Sequence, residues 1–347
     1  MFNETFFTNK RKILFLLLIF LITILTISIT ETAFAKSINV NPNTDGGLKK
    51  VIETAESGDT IYLANGVYKG VNNTGILINK SINIEGKGNN VILNAQLKNQ
   101  VFSVQANKVS FKNLKINNGH VGIISVNTTS LTITNCVFTN NRANFGGAIS
   151  SYGGTKLIVD KCTFTKNFNT AIAFGYGNPG SQVIIRNSIF KDNLGHIGAA
   201  IAYGSDGNIT IKNTTFANNL VKNGGGAINI MGAKNVVISK STFKNNTAKS
   251  AGAILHNSTK SFTISSCVFT NNKAQDVGAI ISTTKSGKIT NSQFKNNIGA
   301  KKYVSIKGKF TKKNVKITPK DGTKVKKWGF RNFWDLNLIS NLKFQFF

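Results

Sequence analysis

Short apolar–polar alternations recur along the chain at a fixed period. Segments such as Leu131-Thr132-Ile133 and Val183-Ile184-Ile185 are brief, rich in β-branched residues and broken by Asn and Gly, which predicts strands separated by tight turns. One Phe marks each period: Phe138, Phe164, Phe190, Phe216, Phe243, Phe269 and Phe294 stand 26, 26, 26, 27, 26 and 25 residues apart. Three residues after each comes Asn, at Asn141, Asn167, Asn193, Asn219, Asn246, Asn272 and Asn297. Between successive Phe residues lies an Ala-Ile pair, at Ala148-Ile149, Ala171-Ile172, Ala200-Ile201, Ala227-Ile228, Ala253-Ile254 and Ala279-Ile280, four of them preceded by Gly. Helical repeats would need a 3.6-residue apolar period and few Gly residues, and leucine-rich repeats would show Leu at fixed offsets. A 26-residue unit of three short strands and three turns is instead one coil of a single-stranded parallel β-helix. Its coils hydrogen-bond about 4.8 Å apart along the axis. The expected fold class is all-β.

Stacked coils place each Phe over the next, in a column where each buried ring contributes roughly 1.5–3 kcal/mol. Asn135, Asn187, Asn213 and Asn291, three residues before their Phe, suit turns in the left-handed conformation. Cys136, Cys162 and Cys267 share the following position with Ser188, Thr214, Ser241 and Ser292. The thiols therefore read as members of a small inward-facing ladder, with neither a disulfide nor a catalytic role. Ile116, Ile123 and the segment from Ile82 to Leu93 continue the pattern toward the N-terminus with shorter spacing. Apolar residues at 48, 51, 52 and 55 form a helical stripe, expected to cover the open end of the first coil. The expected organisation is an export segment over 1–35, a capping segment with an amphipathic helix over 36–58, the β-helix over 59–310, and a basic then aromatic tail over 311–347.

Composition sharpens this reading. Hydrophobic residues make up 41% of the 347, enough for a large core and too many for a disordered chain. Only 16% are charged, so Asn, Ser, Thr and Gly must cover most of the surface. Lys and Arg number 43 against 13 Asp and Glu, a net charge of +30. At the N-terminus Lys10, Arg11 and Lys12 precede an apolar run from Ile13 to Ile29, and Ala33-Phe34-Ala35 supplies a small-x-small cleavage pattern at Ala33 and Ala35. The run of 17 residues is also at the short limit for a membrane span, so a retained anchor is the rival to a cleaved signal. Either way the remainder is expected outside the cell, secreted or at its surface.

The residues Gly58-Asp59-Thr60-Ile61-Tyr62-Leu63, Gly66-Val67-Tyr68 and Ile82-Asn83-Ile84-Glu85-Gly86 resemble the N-terminal coils of pectin lyase-like right-handed β-helices. The Phe-x-x-Asn and Gly-Gly-Ala-Ile repeats resemble those of chlamydial polymorphic membrane proteins and of archaeal adhesin-like surface proteins. The 50 residues after Asn297 are too few for the membrane barrel of the chlamydial type, which makes the archaeal type the closer match. The resemblance covers residues 45 to 300 and implies a right-handed solenoid in an adhesin-like surface protein, with no cofactor.

Catalytic chemistry finds little footing. Sugar hydrolysis needs two carboxylates across one bond, but Asp160, Asp192, Asp206 and Asp276 occupy different positions of the coil. Asp59 reads as a turn residue, and His120, His196 and His256 share no register that would build a metal site. A polysaccharide lyase or hydrolase on the same fold is the runner-up function, and a non-binding envelope spacer the third. The cationic charge fits anionic cell-envelope polymers or acidic glycans, with a host surface as a further partner. No nucleic acid is expected, and a membrane only if the N-terminal segment is retained. Irregular spacing points to a binding step: Phe164 to Ile172 is 8 residues, and the lost length returns through Gly175-Tyr176-Gly177-Asn178-Pro179-Gly180. Tyr152, Phe174, Tyr176 and Tyr203, with Arg186 near in sequence, are the expected ligand-binding residues, as flat rings and a guanidinium suit acidic sugars. The spacing favours the alternative that Phe174 and Tyr203, two residues after an inward Ile, themselves point inward, which leaves Tyr152 and Tyr176 as the surface candidates.

Overall fold

A computed structural model describes residue 14 and residues 34–153, 156–175, 180–258, 260–300 and 302–325. The chain divides into a unit ending at Ala35 and one beginning at Lys36, and the fold is that of the second. The export segment with Ala33 (residues 14, 34 and 35 apart), the loop residue Tyr176 and the aromatic tail lie outside the described residues.

In the coil around Phe216 the strands Asn208–Lys212, Thr215–Ala217, Leu220–Val221 and Ile228–Met231 follow one another. Each pairs in parallel with its counterpart one coil later, Asn208 with Asn235, Phe216 with Phe243, Leu220 with Thr247 and Ile228 with Ile254. Sheets of 21, ten and six strands result, wound as a right-handed parallel β-solenoid of about 11 turns. The expected three strands per coil become four in the regular half, because the residues after the repeat Asn pair as a short column of their own.

The solenoid also exceeds its expected bounds of 59–310. Ser37–Val40 already pairs with Thr60–Leu63, and Phe310–Thr318 pairs with Gly287–Lys295 as the last rung. Helix α1, Gly47–Thr54, lies within the capping segment, buries Leu48 and Ile52, and packs against Ser37–Val40 and Ile76–Ile78. The backbone N–H of Leu48 donates to Asn73 Oδ1 at 3.0 Å, tying the helix to the first coils.

Two ladders fill the regular half. The seven Phe rings stack at centroid distances of 4.9, 4.6, 5.1, 4.8, 4.6 and 4.6 Å, within 12° of parallel. Beside them the repeat Asn side chains are buried, and the first six each hydrogen-bond the next, as from Asn141 Nδ2 to Asn167 Oδ1 at 3.0 Å. The turns before Phe are left-handed at Asn135, Asn187, Asn213 and Asn291, with φ of 50°, 53°, 49° and 49°. Gly before Ala-Ile is forced by close approach of coils: a Cβ on Gly252 would stand 2.0 Å from the Gly278 carbonyl oxygen. The small-residue ladder is hydrogen-bonded as well as buried. Cys162 Sγ accepts the N–H of Cys136 at 3.5 Å, and Ser188 Oγ accepts that of Cys162 at 3.1 Å. All three thiols are free and buried.

Candidate functional site

Two residues after each repeat Phe the backbone turns left-handed again, at Asn140, Lys166, Asp192, Asn218, Asn245, Asn271 and Asn296, with φ between 54° and 56°. The next residue is the buried ladder Asn, and the chain then bends away into the six-stranded sheet. Repeated coil after coil, this bend forms a groove of about 950 Å³ running along the axis. The left-handed residues make one wall. Arg142, Phe168, Leu194, Leu220, Thr247, Lys273 and Ile298, two positions further on, make the floor and the opposite wall. Six steps of about 4.8 Å give a length of about 29 Å. Tyr303, paired antiparallel with Ile298, stands at the C-terminal end.

Apolar side chains line the middle of the groove at Phe168, Leu194 and Leu220, with cations at Arg142 and Lys166 on one side and Lys273 on the other. Asp192 is the one carboxylate in the lining; it accepts from Asn218 Nδ2 at 2.9 Å and meets Lys191 Nζ at 3.7 Å. Asn245 Nδ2 donates to Asn218 Oδ1 at 3.2 Å, and Arg142 Nε and Nη2 donate to Asn140 Oδ1 at 3.3 and 3.1 Å. The side-chain amides of Asn271 and Asn296 have no hydrogen-bond partner among the described residues. The surface thus offers free amides, apolar faces and cations in a line.

The residues expected to bind ligand do not converge. Phe174 and Tyr203 are each 1% exposed and stack on each other inside the solenoid at 5.6 Å, in the inward orientation that was the alternative to ligand binding, so neither reaches a ligand at the surface. Strand periodicity is the reason, since a position two after an inward Ile faces inward again. Burial pushes the Tyr203 hydroxyl up to about 12. Tyr152 is 42% exposed and packs beside Phe145 at 6.2 Å. Arg186 lies at the end of a strand in a different sheet, its Nε 3.0 Å from Asp160 Oδ2. Aligning the coils on Phe and reading the second and fourth positions after it is the sequence signal that marks the groove.

Other polar groups are structural. Asp59 is 2% exposed and accepts the N–H groups of Lys36 at 2.7 Å and Glu56 at 2.8 Å, which hold its carboxyl below the usual range. His256 is buried, with Nδ1 2.8 Å from Ser282 Oγ, and burial pushes it down to about 4. Among the described residues no three His, Cys, Asp or Glu side chains gather as a metal site. No helix among them is long and apolar enough to cross a membrane.

Residues 176–332 match the family described as right handed beta helix region, and residues 135–152 match the Chlamydia polymorphic membrane protein repeat. No curated protein matches the chain. A solved structure similar to it is that of pectate lyase Pel9A, 13% identical with a TM-score of 0.49, covering 82% of this chain and 79% of that one. The family match and the register of the sheets agree on one architecture, a right-handed parallel β-helix.

Proposed function

We propose that this is an exported, adhesin-like surface protein that holds an extended acidic glycan lengthwise in the groove. The observation that carries the reading is the continuity of the groove across seven coils with apolar, amide and cationic side chains in sequence. Phe168 and the neighbouring leucines offer faces to sugar rings, and the amides of Asn271 and Asn296 offer hydrogen bonds to hydroxyls. Arg142, Lys166 and Lys273 meet the acidic groups. The match of residues 135–152 to the polymorphic membrane protein repeat supports placement at the cell surface, as does the N-terminal export pattern. A lyase or hydrolase is less well supported, because Asp192 stands in the groove without a second carboxylate. A spacer would have no use for a groove of graded chemistry.

The test is an array of acidic and neutral polysaccharides probed with the wild-type chain and with Phe168→Ala combined with Lys166→Ala. Retention on acidic polymers, lost in the variant, supports the proposal. Equal retention by both places binding elsewhere, and release of unsaturated or reducing ends favours the enzyme.

A further inference from the structure

Charge is spread unevenly along the rod. Among the described residues the ion pairs end at Lys234, which meets Asp206 at 3.4 Å. From residue 235 to 325 the sequence has 17 Lys and two carboxylates, Asp276 and Asp321. Asp321 already accepts the Ser305 N–H at 2.9 Å.

The outer side of the last two coils, on both flanks of the left-handed turn at Asn291 and Asn314, concentrates this excess in a regular pattern. Where Phe310–Thr318 lies beside Gly287–Lys295, Lys288 is opposite Thr311, Thr290 opposite Lys313, Gln293 opposite Lys316 and Lys295 opposite Thr318. All four lysines are exposed. None faces another directly, which avoids the repulsion of like charges at paired positions. Each has its cationic neighbour on the diagonal, about 7–8 Å away. The ammonium groups therefore form two diagonal pairs, Lys288 with Lys313 before the turn and Lys316 with Lys295 after it, with the hydrogen-bonded Asn291 and Asn314 between them.

Lysines on a terminal strand discourage edge-to-edge pairing, and that alone would account for Lys313 and Lys316. It does not account for Lys288 and Lys295, whose strand is paired on both sides. The outward positions here hold Lys, Thr, Gln and the turn residues Asn291 and Asn314, with no aromatic ring on which a sugar would stack. Compact ammonium charges separated by hydroxyls, with no ring beside them to stack on a sugar, meet phosphate oxygens as point charges. We infer that this face is a second binding site, for a linear phosphate polyanion running across the last two coils. The site is separate from the groove and does not depend on what the groove holds.

The test titrates the full chain with long-chain inorganic polyphosphate over a series of salt concentrations. The variant carrying Lys288→Gln, Lys295→Gln, Lys313→Gln and Lys316→Gln should bind about tenfold or more weakly, with the salt slope reduced by about three to four. A control with Lys69→Gln, Lys80→Gln, Lys98→Gln and Lys108→Gln, equal in net charge, should keep both affinity and slope within about twofold, as should Phe168→Ala. Unchanged thermal unfolding of each variant shows that the fold is retained. Equal weakening by the two lysine sets would reduce the effect to net charge and overturn the site. So would binding to vesicles containing phosphatidylglycerol with none to polyphosphate.

Discussion

Asn219 donates one amide hydrogen to Asn246 Oδ1 at 2.9 Å and the other to the Phe190 carbonyl at 3.0 Å, from a position with no solvent exposure. Its Oδ1 in turn accepts the backbone N–H of Asn193 at 3.2 Å and Asn193 Nδ2 at 3.1 Å. Every polar atom of the side chain is used, and the same arrangement passes from coil to coil. A buried polar network satisfied in this way fixes register, because a slipped coil would strand its amides in an apolar interior.

Asn219→Ala removes the donor to the Phe190 carbonyl and the acceptor of both the Asn193 backbone N–H and one Asn193 Nδ2 hydrogen. The expected loss is about 3 kcal/mol or more, at roughly 1–3 kcal/mol for each stranded group. Urea unfolding measures it, and a midpoint equal to wild type would show that the ladder is not buried as described.

Phe216 stacks between Phe190 at 5.1 Å and Phe243 at 4.8 Å. Phe216→Ala should cost about 3–5 kcal/mol by opening a cavity in the column. Phe216→Leu, which refills part of that volume, should cost less, and the order of the two melting temperatures checks the cavity account.

Buried His256 makes stability depend on pH. Its ordinary value of 6.5 falls to about 4 in the folded protein, where Ser282 Oγ and the Phe262 ring are its neighbours. The unfolded chain takes up a proton below about 6.5 and the native state does not until about 4, so stability falls as pH drops through that window. The loss amounts to about 3 kcal/mol. His256→Gln should flatten the profile there while leaving the separate loss at lower pH, where Asp59 and Asp206 are protonated from below their ordinary 3.8. An identical slope in the variant would contradict the burial of the imidazole.

The thiols should be inert in the native protein. Burial raises Cys267 to about 11 and Cys136 well above its ordinary value. A chromogenic disulfide reagent at neutral pH should label none of the three before denaturation and all three after it. Labelling of any of them in the native state would show that the ladder opens.

The ladders were legible because a solenoid writes one residue per coil, so Phe216 and Asn219 repeat wherever the core does. The groove was less legible because its walls use residues either side of an Asn already explained: Asn218 and Leu220 acquire meaning only when stacked on Asp192 and Leu194. The inward orientation of Tyr203 was legible from its place two residues after Ile201, and strand pairing sets it beside Phe174 on that face. The last rung was hidden by charge. Lys312 pairs with the buried Ile289, and the lysines around it break the apolar alternation that Phe310, Val315 and Ile317 otherwise keep.

Native thiols that do not react allow the groove to be closed at one chosen point. Thr247→Cys introduces a thiol at a partly exposed position in the groove lining, where a bulky alkylating reagent would fill the channel. Binding to an acidic cell-wall polysaccharide should be retained by the unmodified variant and lost once the thiol is alkylated. Tyr152→Cys alkylated in the same way should continue to bind. If alkylation at position 247 leaves binding intact while alkylation at 152 abolishes it, the glycan does not lie in the groove.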